Sequence, residues 1–308
     1  MYDIYQKTLS REVRFKGIGL HSGKVSSVNV IPAREGEGIV FKRVDLKKNN
    51  EIKANFKNVT SAKLCTTLEN NHGVKVSTVE HLLAALYIVG IDNAIIEIDN
   101  EEVPIMDGSS RDFINAFEKN DLVNQTKKRK YLKISSKIEI IDGKRRISIE
   151  PNDLSLEVNF QLNYENKIIG KQKNTIDFQA DNLDEVSSSR TFCLFEDIEK
   201  IKKFGLAKGG SLENAVVVDD EKVLNKDGLR NDKEFVNHKI LDLAGDFLLS
   251  GHRIIGKVNC YQGGHELTNL LLRKIFTLKN VFQALELKEF KISKKFHSKE
   301  LEKIAVNA

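Results

Sequence analysis

The feature that most constrains the fold is a sequence of predicted strands and helices that occurs twice along the chain, in the same order. In each half, segments in which apolar and polar residues alternate are followed by an apolar helix, a further strand and a last amphipathic helix. A recurring order predicts repeated structural units, each of which must bury its apolar faces against the others. We therefore predict an α+β protein with two domains of similar βααβ sandwich plan, packed face to face.

The two copies of this order can be assigned to particular residues. The predicted strands cover residues 25–30, 94–98, 137–141, 146–149 and 253–258. The dipeptide Asp142-Gly143 predicts a tight hairpin turn. One helix of each half should begin near His81 or His238 and end at Gly90 or Gly251, because glycine commonly terminates helices. The last helix of each half is predicted over 110–117 and 267–276.

A polar stretch over residues 119–130 breaks the pattern near the middle of the chain. It includes the run Lys127-Lys128-Arg129-Lys130, and such a charge run is usually a solvated linker. We place the domain boundary here, with a first α+β domain over 1–126 and a second over 127–308. The two histidine-bearing helices can then converge between the domains, where small-molecule sites commonly lie. The active site is predicted at this seam.

Composition excludes several classes of protein. A chain of 308 residues with 40% hydrophobic and 30% charged residues is typical of a soluble globular protein with room for two cores. The longest apolar run, 82–91, is about half of what a membrane span needs. The N-terminus lacks the apolar core of a secretory signal, and the three cysteines show no CxxC spacing. These features predict a cytoplasmic protein without a disulfide framework.

The charge balance bears on the kind of partner. The net charge of +5 results from 49 basic and 44 acidic residues, which interleave along the chain. RNA-binding proteins are the rival class, since α+β units also occur among them; they concentrate basic residues on one face and expose aromatic platforms. This chain has no tryptophan and no such concentration of charge. We therefore expect no nucleic-acid partner, whereas an anionic small molecule suits the mild excess of positive charge.

His238 and Asp242 lie four residues apart on a predicted helix, so their side chains can point the same way. A surface ion pair is an equally common outcome of this spacing. A second imidazole from His81 and a spare carboxylate from Glu80 would complete the parts of a metal-dependent hydrolase. Lys239 could balance the local negative charge or contact an anionic substrate.

Two interpretations are open for Glu80. Ser77 followed by Glu80 before an apolar run is the pattern of a capping box, in which the glutamate accepts a hydrogen bond from the serine backbone. On spacing alone this is the more frequent case. In the alternative, His81 binds a metal and Glu80 reaches the water beside it. Adjacent helical residues diverge by about 100°, so the two can flank one ion more easily than both bind it.

The segment Gly263-Gly264-His265 predicts the start of a helix. A plain capping region is the more frequent interpretation, but paired glycines also allow an imidazole to approach a ligand closely. The helix N-terminus would lower the pKa of His265, and a carboxylate such as Asp246 would raise it. Between these influences His265 could transfer protons near neutral pH.

The segment 196–205 predicts an amphipathic helix with Ile198 and Ile201 on one stripe. Such a stripe normally packs in a core, and an acyl-chain channel is the less common alternative. Residues 187–189 predict a polar turn. Four other histidines belong to no group that predicts a function, namely His21, His72, His252 and His297.

Taken together, these segments closely resemble the UDP-3-O-acyl-N-acetylglucosamine deacetylases, zinc enzymes of bacterial lipid A synthesis. The matching stretches are 17–23, 65–68, 78–86, 106–109, 190–192, 238–246 and 264–265. The resemblance implies hydrolysis of the N-acetyl group of UDP-3-O-acyl-N-acetylglucosamine to acetate and a free amine, the committed step of that pathway. It also implies two domains of βααβ plan with the active site between them. A zinc amidohydrolase for another N-acyl substrate is the nearest alternative, because the motifs define the chemistry more tightly than the acyl pocket.

The resemblance implies that His81, His238 and Asp242 hold Zn²⁺, and the same donor set also accepts Fe²⁺. Bound zinc would polarise the acetamide carbonyl and activate a water molecule. Glu80 would be the general base that takes the proton of the attacking water.

The remaining catalytic roles also follow from the resemblance. Thr191 would donate a hydrogen bond to the developing oxyanion, and cationic His265 would support it. His265, oriented by Asp246, would then protonate the departing sugar amine. Lys239 would contact the anionic groups of the substrate.

The resemblance assigns substrate-binding positions to Phe192, Ile198 and Gly210, within or beside an insert near 193–220 that encloses the fatty acyl chain. Leu194 departs from the family, because many members carry an aromatic residue there, and this bears on the acyl site. The expected partner is a small UDP-sugar with a fatty acyl chain, and the expected state is a monomer.

Overall fold

The computed structural model describes residues 3–287; residues 1–2 and 288–308, which include His297, lie outside the described part. Its helices are α1 (Glu80–Val89), α2 (Arg111–Glu118), α3 (Asp184–Ser188), α4 (Phe195–Lys203), α5 (Glu234–Leu248) and α6 (His265–Thr277). The strands of the first part of the chain are β1 (Tyr5–Leu9), β2 (Val13–Ile18), β3 (Val25–Pro32), β4 (Ile39–Arg43), β5 (Glu51–Lys53), β6 (Val59–Ser61), β7 (Thr67–Glu69), β8 (Lys75–Val76) and β9 (Ala94–Ile98). Those of the second part are β10 (Leu122–Lys128), β11 (Lys130–Ile134), β12 (Ile138–Asp142), β13 (Arg145–Glu150), β14 (Leu156–Asn163), β15 (Lys171–Asp177), β16 (Phe192–Leu194), β17 (Val216–Val218), β18 (Arg253–Tyr261) and β19 (Phe282–Glu286). This mixture of helix and sheet confirms the α+β prediction.

A five-stranded sheet lies in the first part of the chain, in the order β2-β3-β9-β4-β5. Its strands are antiparallel except β9 and β4, which run parallel. Strand β9 covers the predicted residues 94–98, and its Ala94, Ile96 and Ile98 are fully buried while the residues between them are partly exposed. The alternation in the sequence therefore reflects one face packed on the core and one face turned toward solvent.

A seven-stranded sheet lies in the second part and is centred on β18, which pairs with β11, β13 and β14. The predicted hairpin is present, because β12 and β13 are antiparallel neighbours with Asp142 opposite Arg145. The two turn residues are Gly143 and Lys144, one position later than predicted. Gly143 has a φ of 59°, a conformation that glycine adopts without steric cost.

The prediction of a solvated linker over residues 119–130 is wrong, because strands β10 and β11 occupy most of this stretch. Strand β10 pairs with β1 and spans the predicted boundary between residues 126 and 127. Arg129 is buried and donates to Asp92 at 2.6 Å and to Asp3 at 2.8 Å. A charge run can enter the fold in this way because its one buried cation has carboxylates to pair with. The division into domains 1–126 and 127–308 stays a prediction.

Helices α1 and α5, one from each half, pack directly against each other. At Gly245 in α5 the backbones approach so closely that a Cβ atom would collide with the carbonyl oxygen of Glu80 in α1. Helix α1 ends as predicted, with Gly90 in the left-handed conformation. Helix α5 begins at Glu234, four residues before His238, and ends shortly before Gly251. Buried apolar side chains from both halves form one continuous cluster around this helix pair.

No helix within residues 3–287 is long and apolar enough to cross a membrane.

Candidate metal centre and active site

Two helices supply the three residues predicted to bind a metal. His81 lies in the first turn of α1, and His238 and Asp242 are one turn apart on α5. One nitrogen or oxygen atom from each residue lies within 4.8 Å of those of the other two. The close crossing at Gly245 explains the convergence, since it allows the start of α1 to reach the middle of α5. The structure thus brings together three groups that are far apart in the sequence.

The contacts of Asp242 show that this site suits a cation. Its buried Oδ1 makes no hydrogen bond within residues 3–287, yet it lies 3.5 Å from Nε2 of His81 and 3.4 Å from Nε2 of His238. A buried carboxylate oxygen without a donor is costly, and a metal ion between these atoms would satisfy it. Two imidazoles and one carboxylate also form one of the three-residue donor sets found in catalytic zinc sites.

The protonation of His238 fits the role of a ligand. Burial lowers its pKa to about 3, so the ring is neutral near pH 7. Its Nδ1 lies 3.1 Å from the carbonyl oxygen of Ser189, which can only accept, so Nδ1 carries the hydrogen. The lone pair of Nε2 therefore faces Asp242, an arrangement that a cation stabilises.

The carboxylate of Glu80 does not form the capping box. Its Oε2 accepts a hydrogen bond from the backbone N–H of Thr66 at 3.0 Å, while the N–H of Ser77 donates to the carbonyl oxygen of Glu101. The capping-box interpretation is therefore wrong, because a segment distant in sequence supplies the donor. Burial raises the pKa of Glu80, and the neighbouring His265 counteracts this.

His265 lies opposite Glu80, at the first position of α6, with its Nε2 3.9 Å from Glu80 Oε1 and 3.7 Å from Asp242 Oδ2. Its Nδ1 donates to Asp246 Oδ2 at 2.8 Å. Burial alone would lower the pKa of His265, but the carboxylates of Asp246, Asp242 and Glu80 together raise it to about 10. His265 is therefore a cation near neutral pH and can give up a proton at Nε2.

Lys239 forms an ion pair with the metal candidate Asp242. Its Nζ donates to Asp242 Oδ2 at 2.9 Å and lies 5.5 Å from the centre of the Phe192 ring. Burial lowers the pKa of Lys239, but the adjacent Asp242 outweighs this and the pKa is raised. The charge-balancing role considered from the sequence is therefore present. Contact between Lys239 and a substrate anion stays a prediction.

An apolar cavity of about 360 Å³ begins beside this centre. Phe192 lines it, and the ring of Phe192 is 6.3 Å from the ring of His238. The lining comes from both halves of the chain: Leu20, His21, Leu64, Thr191, Phe192, Cys193, Phe195, Ile198, Ile201, Lys202, Ala207, Gly210, Ser211, Leu212, Ala215, Val217 and Leu224. Phe192, Ile198 and Gly210, which the resemblance assigned to substrate binding, belong to it, as does Thr191, which the resemblance assigned to the oxyanion; Lys239 is not among the lining residues.

Helix α4 differs from an ordinary core helix, because none of its side chains is fully buried. Its Ile198 and Ile201 line the cavity, so the prediction that this stripe packs in a core is wrong. That the cavity is an acyl-chain channel stays a prediction. Leu194 is not part of the lining; it pairs with Val218 in the two-stranded sheet and packs against the core. The departure from the family at this position therefore does not alter the cavity wall directly.

Sequence reasoning missed several supporting residues. Thr66 connects two catalytic candidates, since its N–H donates to Glu80 and its Oγ1 donates to Asp246 at 2.7 Å. Glu234, fully buried at the start of α5, accepts hydrogen bonds from Arg190 at 2.7 and 3.1 Å. The matching stretch at 65–68 was the only sequence signal for Thr66. The Arg190–Glu234 pair spans 44 residues and has no local pattern.

The chain is similar to known proteins over most of its length. The family model described as UDP-3-O-acyl N-acetylglycosamine deacetylase (LpxC) matches residues 6–277. The chain belongs to this family. Among curated members named UDP-3-O-acyl-N-acetylglucosamine deacetylase, the protein of Pseudoalteromonas translucida is 40% identical over 91% of this chain and 93% of its own length. That of Idiomarina loihiensis is 41% identical over 91% and 92%, and that of Geobacter sp. strain M21 is 40% identical over 92% of both chains.

Family membership agrees with the chemistry of the site and with the resemblance found from the sequence. The matched region contains both histidine-bearing helices and the start of α6 with His265.

Proposed function

We propose that this protein hydrolyses the N-acetyl group of UDP-3-O-acyl-N-acetylglucosamine, releasing acetate and the free amine. The observation that carries the proposal is the unpaired oxygen of Asp242 between the two imidazole nitrogens, set beside a buried carboxylate and a cationic histidine. Metal-assisted amide hydrolysis uses these three groups: a cation site, a base and an acid.

His81, His238 and Asp242 would hold the metal, Zn²⁺ or Fe²⁺, which when bound would polarise the acetamide carbonyl and activate the attacking water. Glu80 would take the proton of that water. Its raised pKa makes it a stronger base than an exposed glutamate, and the hydrogen bond from Thr66 fixes its orientation.

His265 would act after Glu80. Held by Asp246 and protonated near neutral pH, it would stabilise negative charge on the carbonyl oxygen and then donate its Nε2 proton to the departing amine. Thr191 would offer a further donor to the oxyanion from the cavity wall.

The cavity supports an acyl-bearing substrate over other N-acyl compounds. It is lined mostly by apolar side chains and adjoins the metal candidates through Phe192, as a fatty acyl chain near the reacting amide would require. Lys239 lies near the junction and would bind an anionic group of the substrate while neutralising Asp242.

Measurement of acetate release tests this proposal. We expect metal-loaded protein to release acetate from the 3-O-acylated UDP-sugar, and the same sugar without its acyl chain to react much more slowly, since it leaves the cavity empty. A chelator should abolish release, and added Zn²⁺ or Fe²⁺ should restore it. Equal rates with both sugars would show that the cavity does not serve the acyl chain, and no release from either would overturn the proposed function.

The pH profile should depend on Asp246. His265 acts as the acid in its protonated form, so kcat/KM should fall as pH rises through the pKa of His265. Because the Asp246 carboxylate raises that pKa, the Asp246→Asn variant should lose activity at lower pH than the unmodified protein. Profiles of kcat/KM against pH for both proteins give the answer. If kcat/KM falls at the same high pH in both proteins, the Asp246–His265 pair does not take part in proton transfer.

A further inference from the structure

Large apolar side chains are exposed around the open end of the cavity. Phe195, Leu64 and Leu212 line the cavity, yet they are 57%, 50% and 48% exposed, so they lie at its mouth. Phe204, two residues beyond the lining residue Lys202, is 82% exposed at the end of α4. We call these four residues the mouth surface. Single exposed apolar residues are ordinary, but several around one apolar cavity mark an interaction surface.

The charge next to Phe204 is positive. The segment 200–208 contains Lys200, Lys202, Lys203 and Lys208 and no acidic residue, and all four lysines are exposed. The acids of α4 lie in its first turns, where Asp197 pairs with Lys200 at 3.0 Å. Within residues 3–287, Lys202, Lys203 and Lys208 form no ion pair, whereas Lys200 is paired with Asp197. An exposed phenyl ring beside such lysines is complementary to an anionic lipid surface, where the ring enters the interface and the ammonium groups meet the phosphates.

We propose that the mouth surface docks on an anionic phospholipid bilayer, so that the cavity opens at the membrane interface. This inference rests on the proposed function in one respect, because an acylated substrate gives a reason for the cavity to open there. A second copy of the chain fits less well, since a two-fold contact through this surface would bring the same lysines together.

The docking is tested by sedimentation of the full chain with vesicles. We expect binding to vesicles of phosphatidylglycerol and phosphatidylethanolamine, weakened by salt, and little binding to phosphatidylcholine alone. Phe204→Ser should weaken binding about tenfold, from the loss of buried apolar surface. Lys203→Glu should weaken it about fivefold or more, because it removes one cation and adds an anion. Leu278→Ser is the matched control, since Leu278 is 42% exposed at the end of α6 and does not line the cavity.

The outcomes separate the two proposals. Thermal melting of each variant establishes that it is folded, and acetate release in vesicle-free solution should be unchanged in Phe204→Ser. Equal binding to anionic and to phosphatidylcholine vesicles, or unchanged binding in both Phe204→Ser and Lys203→Glu, would contradict the proposed docking. A dimer in light scattering that Phe204→Ser dissociates, without vesicle binding, would assign the surface to self-association and also overturn it. Failure of acetate release with intact vesicle binding would instead reject the proposed function alone.

Discussion

Replacing Glu80 with glutamine should reduce kcat by about 10²–10⁴-fold while leaving the metal content unchanged. Glutamine has nearly the same shape and can still accept the hydrogen bond from the Thr66 N–H, so the local structure should persist. It cannot take a proton from water, because an amide is not a base at neutral pH. Single-turnover and steady-state assays, together with metal analysis of the same sample, measure both parts of this prediction.

Glu101→Gln is the matched control for that variant. Glu101 has an exposed carboxylate that pairs only loosely with Lys24, at 3.4 Å, so its loss should change neither rate nor metal content. A Glu80→Gln protein with near-normal turnover would show that Glu80 is not the base. Loss of the metal in that variant would instead place Glu80 among the ligands.

Replacing His238 with alanine should remove most of the bound metal and nearly all activity. The imidazole provides one of three donor atoms, and its Nδ1 hydrogen bond to Ser189 fixes the orientation of the ring. Removing a residue that only hydrogen-bonds to a metal ligand lowers metal affinity by up to about 10²-fold. Because His238 would be a ligand itself, we expect its removal to lower the affinity by at least that much. Metal content per chain, titration with Zn²⁺ and acetate release at saturating metal measure the effect.

His252→Ala is the matched control for His238→Ala. His252 is partly buried in the loop after α5, where its backbone exchanges hydrogen bonds with Ser250 and the charge that acts on its ring is that of Lys130. Among the described residues it does not belong to the group that could hold a metal. Its substitution should leave one metal per chain and full activity. Full metal content and activity in His238→Ala would contradict the assigned ligand set.

Local patterns predicted the regular elements well where neighbouring residues determine them. Strand β9 covers 94–98 as predicted, because its alternation needs only one buried face. Helix α1 ends at Gly90 because a glycine in the left-handed conformation ends a helix by itself. The start of α5 lies earlier than predicted, since Glu234 is stabilised there by Arg190, 44 residues before it.

Predictions from spacing failed where a distant segment supplies the partner. The capping box was wrong because the Glu80 carboxylate binds the N–H of Thr66, and a local rule cannot include that donor. The solvated linker was wrong because β1 pairs with β10 and Asp92 neutralises the buried Arg129. In both cases the energy of a buried polar group depends on neighbours that only the folded chain provides.

The periodic spacing of apolar residues in the sequence predicted the α+β class, and the matching stretches predicted the family and, through that resemblance, the three metal candidates. Only the tertiary structure decided that His81 meets His238 and Asp242 and that Glu80 faces His265. It also decided that the stripe of α4 lines a cavity. The reason is the contact of α1 with α5 at Gly245, since two helices from distant parts of the chain must touch before their side chains can share one ion.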